Sequence, residues 1–362
     1  MRSLLVTGGA GFIGSNFVRY WRRQHPADRL TVIDALTYAA SPDTVRGLMA
    51  DAGLNFVRGD IRDGELLFSL LSRHGVDTIV NFAAETHVDR SISGPGAFVD
   101  TNVVGTHVLL QSARAAWSAP GSGRRRFHQV STDEVYGSLG HSEPAFTESS
   151  PYRPSSPYAA SKAAADHLVR AYHTTYGLDA TISNCSNNFG PHQFPEKLIP
   201  LMLVNALRGQ PLPVYGDGGN VRDWLYVEDH CRGIDLVLSR GRAGETYNIG
   251  MNREERNIDL VHLLCSELDA LFAREPGLAR RFPQAPAAAG QPTGGLIRFV
   301  ADRPGHDRRY ALDNGRIRGE LGLTAGRGFR DDLARTIAWY VDNSAWWEPL
   351  ISPAGAHPYP AP

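Results

Sequence analysis

Cysteine is scarce in this chain of 362 residues, and its three cysteines, Cys185, Cys231 and Cys265, lie far apart. No CxxC pair is present, so neither a redox pair nor a zinc site of that spacing is indicated. An odd and sparse count is typical of free thiols in a reducing compartment. None of the 13 histidines falls in a metal-ligand spacing such as HExxH. We therefore expect no catalytic metal.

Long apolar runs and a surplus of charge are missing as well. No run approaches the roughly 20 apolar residues that a membrane helix needs. The opening MRSLLVTGG reaches glycine too early for the apolar stretch of a signal peptide. The net charge of −1 lacks the basic surplus typical of nucleic-acid-binding proteins. These absences predict a cytoplasmic protein with no membrane or nucleic-acid partner, although a small anionic ligand remains compatible with a neutral chain.

Short apolar, β-rich runs alternate with helical patterns through the first half of the chain. Strands are predicted at Ser3–Thr7, Leu30–Asp34, Asn55–Arg58, Thr78–Phe82, Phe127–Ser131 and Ala180–Asn184. Helices between them are predicted at Gly11–Gln24, Glu65–His74, Ala97–Trp117 and Tyr158–Tyr176. This alternation is typical of an α/β protein with a doubly wound parallel sheet of the Rossmann type.

After about Phe189, prolines and glycines interrupt the alternation. We expect a smaller C-terminal α/β domain that binds the substrate. Its residues would be 189–220 and 251–345, with residues 1–188 and about 221–250 forming the nucleotide-binding domain and 346–362 a tail. The stretch 282–295, FPQAPAAAGQPTGG, is expected to be an exposed loop outside any core.

A glycine-rich turn follows the first predicted strand. It contains Gly8, Gly9, Gly11 and Gly14, which satisfy the G-x-G-x-x-G spacing. Such glycines allow a tight turn and a close approach of the backbone to a pyrophosphate. Asp34 ends the next strand, where an acid hydrogen-bonds the adenosine ribose and repels a 2′-phosphate. The pattern predicts NAD rather than NADP, the alternative being a purely structural turn beside a surface aspartate.

Tyr158 and Lys162 are spaced i and i+4, which places a phenol and an ammonium on one helical face. The usual tyrosine pKa, about 10, is too high for a base at neutral pH. A cation about 4 Å away is worth about 4 kcal/mol at an effective dielectric of about 20, or about three pKa units downward. We therefore predict Tyr158 as an acid/base group with a lowered pKa.

A second polar cluster, Ser131 to Glu134, ends the fifth predicted strand. In open parallel sheets this end of a strand faces the ligand crevice. A hydroxyl of Thr132 or Ser131 could bridge to a substrate oxygen beside Tyr158. Asp133 and Glu134 add two carboxyl groups at the same place, although a solvated acidic loop or a helix cap is the common alternative.

Several long motifs in order resemble the extended short-chain dehydrogenase/reductase family, and within it the nucleotide-sugar 4,6-dehydratases of the dTDP-glucose type. The resemblance covers about residues 1–345. Its motifs are VTGGAGFIGSN, AAETHVDRSI (83–92), STDEVYG (131–137), SSPYAASKAAADHLV (155–169), NCSNNFGPHQFPEKLIP (184–200), VRDWLYVEDH (221–230), GETYNIG (244–250) and ADRPGHDRRY (301–310).

The resemblance implies an NAD-dependent lyase that removes water from dTDP-glucose. Tyr158 would take the 4-hydroxyl proton, Glu134 would act as base at C5, and Asp133 would be the acid toward the 6-hydroxyl. Thr132 would orient the 4-oxygen, and Lys162 would tune Tyr158. It also implies a homodimer built on the Ala97–Trp117 and Tyr158–Tyr176 helices, whose apolar spacing equally suits burial within a monomer.

Two residue sets follow from the same resemblance. NAD is expected to contact Gly8, Gly11, Phe12, Ile13, Gly14, Asp34, Ala35, Leu36, Thr37, Asp60, Ile61, Ala83, Ala84, Thr101, Tyr158, Lys162 and Asn188. The nucleotide sugar is expected to contact His87, Thr132, Asn187, Lys197, Leu198, Pro213, Tyr215, Arg222, Asn257, Arg303 and His306. Arg222 and Arg303 suit a diphosphate, where charge-assisted bonds are worth about 1.5–3 kcal/mol each, but either could instead form a surface ion pair.

Three readings of the function stay open at this point. The first is the dehydratase, which needs an acid and a base beyond the redox pair. The second is a nucleotide-sugar 4-epimerase or decarboxylase of the same superfamily, and an epimerase needs no such pair. The third is a non-catalytic NAD-binding scaffold, which the intact catalytic set disfavours. The sequence does not separate thymidine from uridine nucleotides, because one methyl group is worth only about 1–3 kcal/mol.

Overall fold

A parallel sheet forms the centre of the molecule. The computed structural model describes residues 1–37, 40–118, 124–302, 305–324 and 326–351. Its strands are β1 (Ser3–Thr7), β2 (Arg29–Asp34), β3 (Leu54–Arg58), β4 (Thr78–Asn81), β5 (Arg126–Thr132), β6 (Ala180–Cys185), β7 (Asn187–Phe189), β8 (Leu212–Tyr215), β9 (Val221–Tyr226), β10 (Thr246–Ile249), β11 (Glu254–Arg256) and β12 (Ile297–Val300). Within the described residues, seven of them form one sheet in the order β10-β6-β5-β4-β1-β2-β3, and every pairing in it is parallel.

The winding of the sheet reverses between β1 and β4. β1 pairs with β2 on one side and with β4 on the other, so the chain leaves the centre in both directions. In open α/β sheets the ligand crevice opens at such a point, beyond the carboxyl ends of the strands. The doubly wound Rossmann fold expected from the sequence is therefore confirmed, and its geometry locates the site.

Helices cover both faces of the sheet. The α-helices are α1 (Phe12–Gln24), α2 (Pro42–Met49), α3 (Gly64–Arg73), α4 (Val88–Ser93), α5 (Gly96–Phe98), α6 (Thr106–Ala116), α7 (Pro157–Tyr176), α8 (Leu198–Leu207), α9 (Val227–Arg240), α10 (Asn257–Arg274), α11 (Leu278–Arg281), α12 (Phe329–Asp342) and α13 (Ser344–Trp347). α1 and α9 bury apolar side chains on one face, and α3, α6 and α7 do so on the other. None of the described helices is long and apolar enough to cross a membrane.

The helix predicted over Ala97–Trp117 is interrupted, which corrects the sequence prediction. α5 passes into a π-helical stretch, Val99–Gly105, before α6 begins. The buried Asn102 in this stretch donates to the backbone oxygen of Glu85 at 3.0 Å and to Ser161 Oγ at 2.8 Å. A π-bulge of this kind lets the helix place Asn102 for these two hydrogen bonds without ending there. Apolar periodicity cannot reveal this change, because its spacing continues across the bulge.

The second lobe has its own core. It contains a three-stranded sheet, β11-β9-β7, and a two-stranded sheet, β12-β8, packed with α8, α10 and α12. Trp346 and Trp347, in the region expected to be a tail, are buried in this core. The remainder of that region, 352–362, lies outside the described residues.

The composition of the stretch 282–295 predicts an exposed loop outside any core, and this prediction is wrong. Phe282 and Ala285 are buried in the core of the second lobe, and Thr293 bonds to Asp269 on α10 through both its amide and its hydroxyl. Short helical turns at Pro286–Ala289 and Thr293–Leu296 carry the backbone between these contacts. A few anchored side chains therefore order a segment whose overall composition is too poor to predict a core.

Candidate active site

A cleft of about 520 Å³ opens beyond the carboxyl ends of the central strands. The glycine-rich turn after β1 and the end of β2 form one side of it, and the end of β5 with the start of α7 forms the other. All five residues proposed as catalytic line this one cleft: Thr132, Asp133, Glu134, Tyr158 and Lys162. The structure thus joins these residues to the glycine-rich turn at residues 8–14, which lies more than a hundred residues away in the sequence.

Gly8 and Gly14 shape the turn at the nucleotide end. Gly8 has φ +65°, a conformation that L side chains rarely adopt, and its carbonyl oxygen accepts from the amide of Gly11 at 3.2 Å. A Cβ atom at Gly14 would collide with that same carbonyl oxygen. The first turn of α1 therefore packs directly on the glycine-rich loop, which leaves room for a pyrophosphate at this helix N-terminus.

Replacing Gly14 with alanine should damage the turn and the nucleotide site together. Forcing a methyl group into a packed contact costs typically about 1–3 kcal/mol, and the loop can relieve it only by moving where a pyrophosphate would bind. We expect the free energy of unfolding of Gly14→Ala to fall by about that amount. The affinity for NAD in a calorimetric titration should fall about tenfold or more, since each tenfold corresponds to only about 1.4 kcal/mol.

Gly47→Ala is the matched control. Gly47 lies inside α2, and no described atom would lie within 4 Å of its Cβ. Alanine there should be neutral or stabilise the chain by up to about 1 kcal/mol, because glycine is unfavourable inside a helix. Equal NAD affinities for the two variants would contradict the role assigned to Gly14.

Asp34 stands at the lip of the turn. Its Oδ2 accepts from the amide of Ala10 at 2.9 Å and its Oδ1 from the amide of Leu36 at 2.8 Å. These two bonds fix the carboxylate while leaving each oxygen a further lone pair for a ribose hydroxyl. Burial raises the pKa of Asp34, and the backbone hydrogen bonds from Leu36 and Ala10 oppose that rise.

Most of the residues predicted to contact NAD line the cleft. They are Gly8, Gly11, Phe12, Ile13, Gly14, Asp34, Ala35, Thr37, Asp60, Ile61, Ala83, Ala84, Thr101, Tyr158, Lys162 and Asn188. Leu36 differs, because its side chain packs against the core between the sheet and α1. Asp60, for which a helix cap was the alternative, lines the cleft and also pairs with Arg62 at 2.7 Å, which lowers the pKa of Asp60.

Ser131 and Thr132, at the end of β5, are the two candidates for the hydroxyl beside Tyr158. Ser131 Oγ donates to the buried Asp166 Oδ2 at 2.7 Å. Thr132 lines the cleft, and its hydroxyl hydrogen-bonds the Tyr158 side chain. Thr132 Oγ1 also accepts from the amide of Glu134 at 3.3 Å. Both residues line the cleft, but the Ser131 hydroxyl is bonded to Asp166, so Thr132 supplies the hydroxyl beside Tyr158.

The predicted net lowering of the Tyr158 pKa is wrong for this structure. Burial raises the pKa of Tyr158 well above its usual value, and the negative charge of Glu134 raises it further. Burial also lowers the pKa of Lys162, whose Nζ donates to the backbone oxygen of Val130 at 2.8 Å. The charge of the ammonium alone would lower the Tyr158 pKa, but the loss of water around both groups has the larger effect.

The two carboxyl groups after Thr132 have unlike surroundings. Asp133 is 2% exposed, and burial together with the charges of Glu134 and Asp223 raises its pKa well above the usual value. Thr132 Oγ1 lies 3.3 Å from Asp133 Oδ1. Glu134 is only partly buried. Neighbouring carboxyl groups in unlike environments are typical of an acid and base pair, because the buried one retains its proton.

The residues predicted to contact the nucleotide sugar are only partly gathered. Thr132, Asn187 and Lys197 line the cleft. Those outside its lining are His87, Leu198, Pro213, Tyr215, Arg222, Asn257 and His306. Arg303 lies outside the described residues. This set stays a prediction, and its described members are spread over both lobes.

Two of these residues have well-defined surroundings in the second lobe. Arg222 is buried, with its Nη atoms donating to the backbone oxygens of Val221 and Asp307, both at 2.8 Å. Its guanidinium lies 4.5 Å from the centre of the Tyr310 ring. His306 Nδ1 lies 2.6 Å from Asp302 Oδ1.

Some cleft residues were missed by sequence reasoning. Glu85, Gln193 and Glu196 line the cleft, and Glu196 Oε2 lies 3.7 Å from His87 Nε2, both side chains being buried. These residues fall inside the motifs at 83–92 and 184–200, so the motifs located them without indicating a role.

The scarcity of lysine also points to the cleft. Lys162 and Lys197 are the only lysines in the sequence, and both line the cleft.

Comparisons with known proteins agree with this geometry. A dTDP-glucose 4,6-dehydratase of Xanthomonas campestris pv. campestris is 52% identical over 354 residues, covering 97% of this chain and 96% of that protein. A dTDP-glucose 4,6-dehydratase of Neisseria meningitidis is 48% identical, covering 97% of each. DesIV, a dTDP-glucose 4,6-dehydratase from Streptomyces venezuelae solved with NAD bound, superposes with a TM-score of 0.85 at 51% identity, covering 96% of this chain and 99% of that one.

The sheet, its glycine-rich turn and the paired Tyr158 and Lys162 define an enzyme of the short-chain dehydrogenase/reductase class. Within that class, the family model described as GDP-mannose 4,6 dehydratase matches residues 5–336. The chain therefore belongs to the GDP-mannose 4,6 dehydratase family.

Proposed function

We propose that this protein is an NAD-dependent dTDP-glucose 4,6-dehydratase. It converts dTDP-glucose to dTDP-4-keto-6-deoxyglucose and water, a step of deoxysugar biosynthesis. The observation that carries the proposal is the carboxyl pair Asp133 and Glu134, which shares one cleft with Tyr158, Lys162 and Thr132. Relatives about 50% identical over nearly the full length carry this activity in their names.

The cleft fits NAD by its own features. The contact of Gly14 with the Gly8 carbonyl leaves no room for side chains in the turn, so backbone can approach a pyrophosphate. The fixed Asp34 carboxylate suits a ribose diol and disfavours a 2′-phosphate. When bound, NAD⁺ supplies a positively charged acceptor for the C4 hydride, and its reduced form supplies the donor to C6.

Oxidation at C4 needs a base for the 4-hydroxyl proton, and Tyr158 takes this role. Because burial and Glu134 raise the pKa of Tyr158, its phenolate needs compensation from neighbouring groups. The Thr132 hydroxyl supplies a hydrogen bond, and Lys162, one helical turn along α7, supplies a positive charge. Both favour the ionised phenol at the moment when the proton is transferred.

Elimination of water needs a second base and an acid. The 4-ketone acidifies the C5 hydrogen, which the partly exposed Glu134 removes as a proton. The buried Asp133 retains a proton, since burial and neighbouring carboxylates raise its pKa, and donates it to the leaving 6-hydroxyl. General acid and base groups of this kind are each worth about 10²–10⁴ in rate.

The carboxyl pair favours a dehydratase over an epimerase. The fold does not distinguish them: a UDP-glucose 4-epimerase from Thermotoga maritima superposes with a TM-score of 0.78 at 25% identity, covering 94% of this chain and 99% of that one. A 4-epimerase only removes and returns hydrogen at C4, so a base and an acid for C5 and C6 have no use there. The site, and not the fold, therefore carries the assignment.

An incubation of the purified protein with dTDP-glucose and no added reductant tests the function. The dehydratase gives a product that has lost one water and gained a carbonyl at C4. A product of unchanged mass with inverted C4 would indicate an epimerase, and an unchanged substrate would indicate a non-catalytic NAD-binding protein. UDP-glucose, in parallel, measures the preference for thymine.

We also propose a two-domain division, in which residues 1–188 and about 221–250 hold NAD and residues 189–220 and 251–345 hold the sugar nucleotide. Within 221–250, β9 departs from this division, because it pairs with β7 and β11 and packs in the core of the second lobe. The assignment of α9 and β10 to the first domain is supported by their burial in the core against α1. A cytoplasmic location is supported by the three buried, unpaired cysteines.

A homodimer is proposed through the helices near residues 97–117 and 158–176. Val99, Val104 and Tyr176 on these elements are 49%, 43% and 49% exposed, and pairing of these helices with a second copy would remove such apolar surface from water. Val104→Asp should therefore convert the dimer to a monomer, since a charge in an apolar interface leaves a costly unpaired group.

Light scattering after size-exclusion chromatography measures this change. Phe299→Asp is the matched control, because Phe299 is a 61% exposed apolar residue in the second lobe and should leave the mass unaltered. A wild-type protein that runs as a monomer at micromolar concentration would contradict the proposal.

A further inference from the structure

A buried carboxylate, Asp166, lies one helical turn beyond Lys162 on α7 and is fully shielded from solvent. Its Oδ2 accepts from Ser131 Oγ at 2.7 Å and from the Tyr152 hydroxyl at 3.0 Å. Its Oδ1 accepts no hydrogen bond from any residue that the structure describes. A buried carboxyl group with an unbonded oxygen is costly unless a charge balances it.

The groups that hold Asp166 come from several elements. Tyr152, on the segment before α7, accepts from Arg170 Nη2 at 2.8 Å and from Asn184 Nδ2 of β6 at 3.0 Å. The Arg170 guanidinium also lies 4.7 Å from the centre of the Tyr152 ring. Ser131 belongs to β5. The carboxylate is therefore fixed between β5, β6 and α7, and it has no freedom to turn toward solvent.

Lys162 lies one helical turn before Asp166 on α7 and is the cation whose charge acts on this carboxyl group. Its side chain is buried, and the Val130 carbonyl that accepts from its Nζ is neutral. The charged or titratable groups that act on it are Asp166 on its own helix and Cys185 on β6. Burial raises the pKa of the Cys185 thiol to about 12, so Cys185 is neutral at neutral pH. Asp166 is left as the group that favours the ammonium. Burial raises the pKa of Asp166, and the charge of Lys162 and the hydrogen bond from Ser131 oppose that rise.

We propose that Asp166 is a positioning residue of the active site: it keeps Lys162 in its ammonium form and, through Ser131, fixes the end of β5 that presents Thr132. The mechanistic consequence rests on the proposed function, because an ammonium at Lys162 is what favours the phenolate of Tyr158. Tyr158, Lys162 and Asp166 then form one column along α7, each a turn from the next. Asp166 thus favours the charged form of Lys162, and the charged Lys162 favours the phenolate of Tyr158.

The scarcity of lysine makes the proposal directly measurable. Protein labelled with ¹³C-lysine gives signals from only Lys162 and Lys197, and a separate Lys197→Arg sample assigns them. In the NAD-saturated wild-type protein, the Cε signal of Lys162 should report an ammonium throughout the neutral range despite its burial. A neutral amine at pH 7 would overturn the proposal, whichever variants fold.

Asp166→Asn is the principal variant, because it removes the charge while keeping an oxygen acceptor for Ser131 and Tyr152. The titration midpoint of Lys162 should fall by about 1–3 pH units, the range that one nearby opposite charge produces. Tyr136→Phe is the matched control. Tyr136 belongs to the same buried network, donating to Asn248 and accepting from Asn184, but it does not touch Asp166. It should leave the Lys162 midpoint in place.

The pH profile of C4 oxidation gives a second readout. In Asp166→Asn the rising limb of NAD⁺ reduction should move to higher pH, because a neutral Lys162 no longer favours the Tyr158 phenolate. Equal loss of rate at every pH, with an unmoved Lys162 midpoint, would show a merely structural role and overturn the proposal. Since the lysine titration needs no sugar substrate, its failure is distinct from a failure of dTDP-glucose to lose water.

Discussion

Replacing Tyr158 with phenylalanine should abolish the first chemical step. The variant Tyr158→Phe keeps the ring but loses the group that takes the 4-hydroxyl proton, and general base catalysis contributes about 10²–10⁴ in rate. The Thr132 hydroxyl also loses its partner. We expect the rate of NAD⁺ reduction after mixing with dTDP-glucose to fall by about that factor, as measured by the absorbance of NADH in a single turnover.

Tyr172→Phe is the control for this variant. Tyr172 lies on the same helix, with its hydroxyl 3.3 Å from His107 Nδ1, outside the cleft. It should reduce NAD⁺ at the wild-type rate, and both variants should bind NAD and unfold near the wild-type temperature. Oxidation by Tyr158→Phe at more than a tenth of the control's rate would show that another group is the base.

Replacing Glu134 with glutamine should separate oxidation from elimination. Glu134→Gln retains Tyr158, Thr132 and Lys162, so the C4 hydride can still be transferred, but the base for the C5 proton is lost. We expect NADH to accumulate, exchange of the C5 hydrogen with deuterated water to fall by about 10²–10⁴, and the dehydrated product to disappear in proportion.

The same variant makes a prediction about pH. The negative charge of Glu134 raises the pKa of Tyr158, since a carboxylate disfavours a nearby phenolate. Removing it lowers that pKa, so the rising limb of the oxidation profile should shift to lower pH, opposite to the shift in Asp166→Asn. Glu148→Gln, a partly buried glutamate outside the cleft, should turn over normally. Normal turnover by Glu134→Gln would refute its role as base.

Much of the nucleotide-binding part of the cleft could be predicted, because the sequence features that indicate it are close together in the chain. The glycine spacing and Asp34 lie within one β-α-β unit, and the geometry of that unit follows from the turn itself. The structure places Gly8, Gly14 and Asp34 around one cleft as expected. Leu36 was assigned from the family resemblance as part of the stretch 34–37, and its side chain packs against the core.

The chemistry of the site was harder to predict because burial is a property of the whole fold. The spacing of Tyr158 and Lys162 gives their proximity, but water is removed from both by the surrounding strands, and this reverses the expected direction of the Tyr158 pKa. Asp166 shows the same limit. Its spacing from Lys162 is visible in the sequence, whereas Ser131 and Tyr152, which fix it, come from other elements.

The fate of the C4 hydrogen tests the proposed dehydratase reaction most directly. dTDP-glucose carrying deuterium at C4 is incubated with the NAD-loaded protein in ordinary water, and the product is examined by mass spectrometry and NMR. We expect a 4-keto-6-deoxy sugar that has lost water and carries the deuterium at C6, because the C4 hydride is returned there. Deuterium recovered at C4 of a sugar that has kept its water, with C4 inverted, would contradict it.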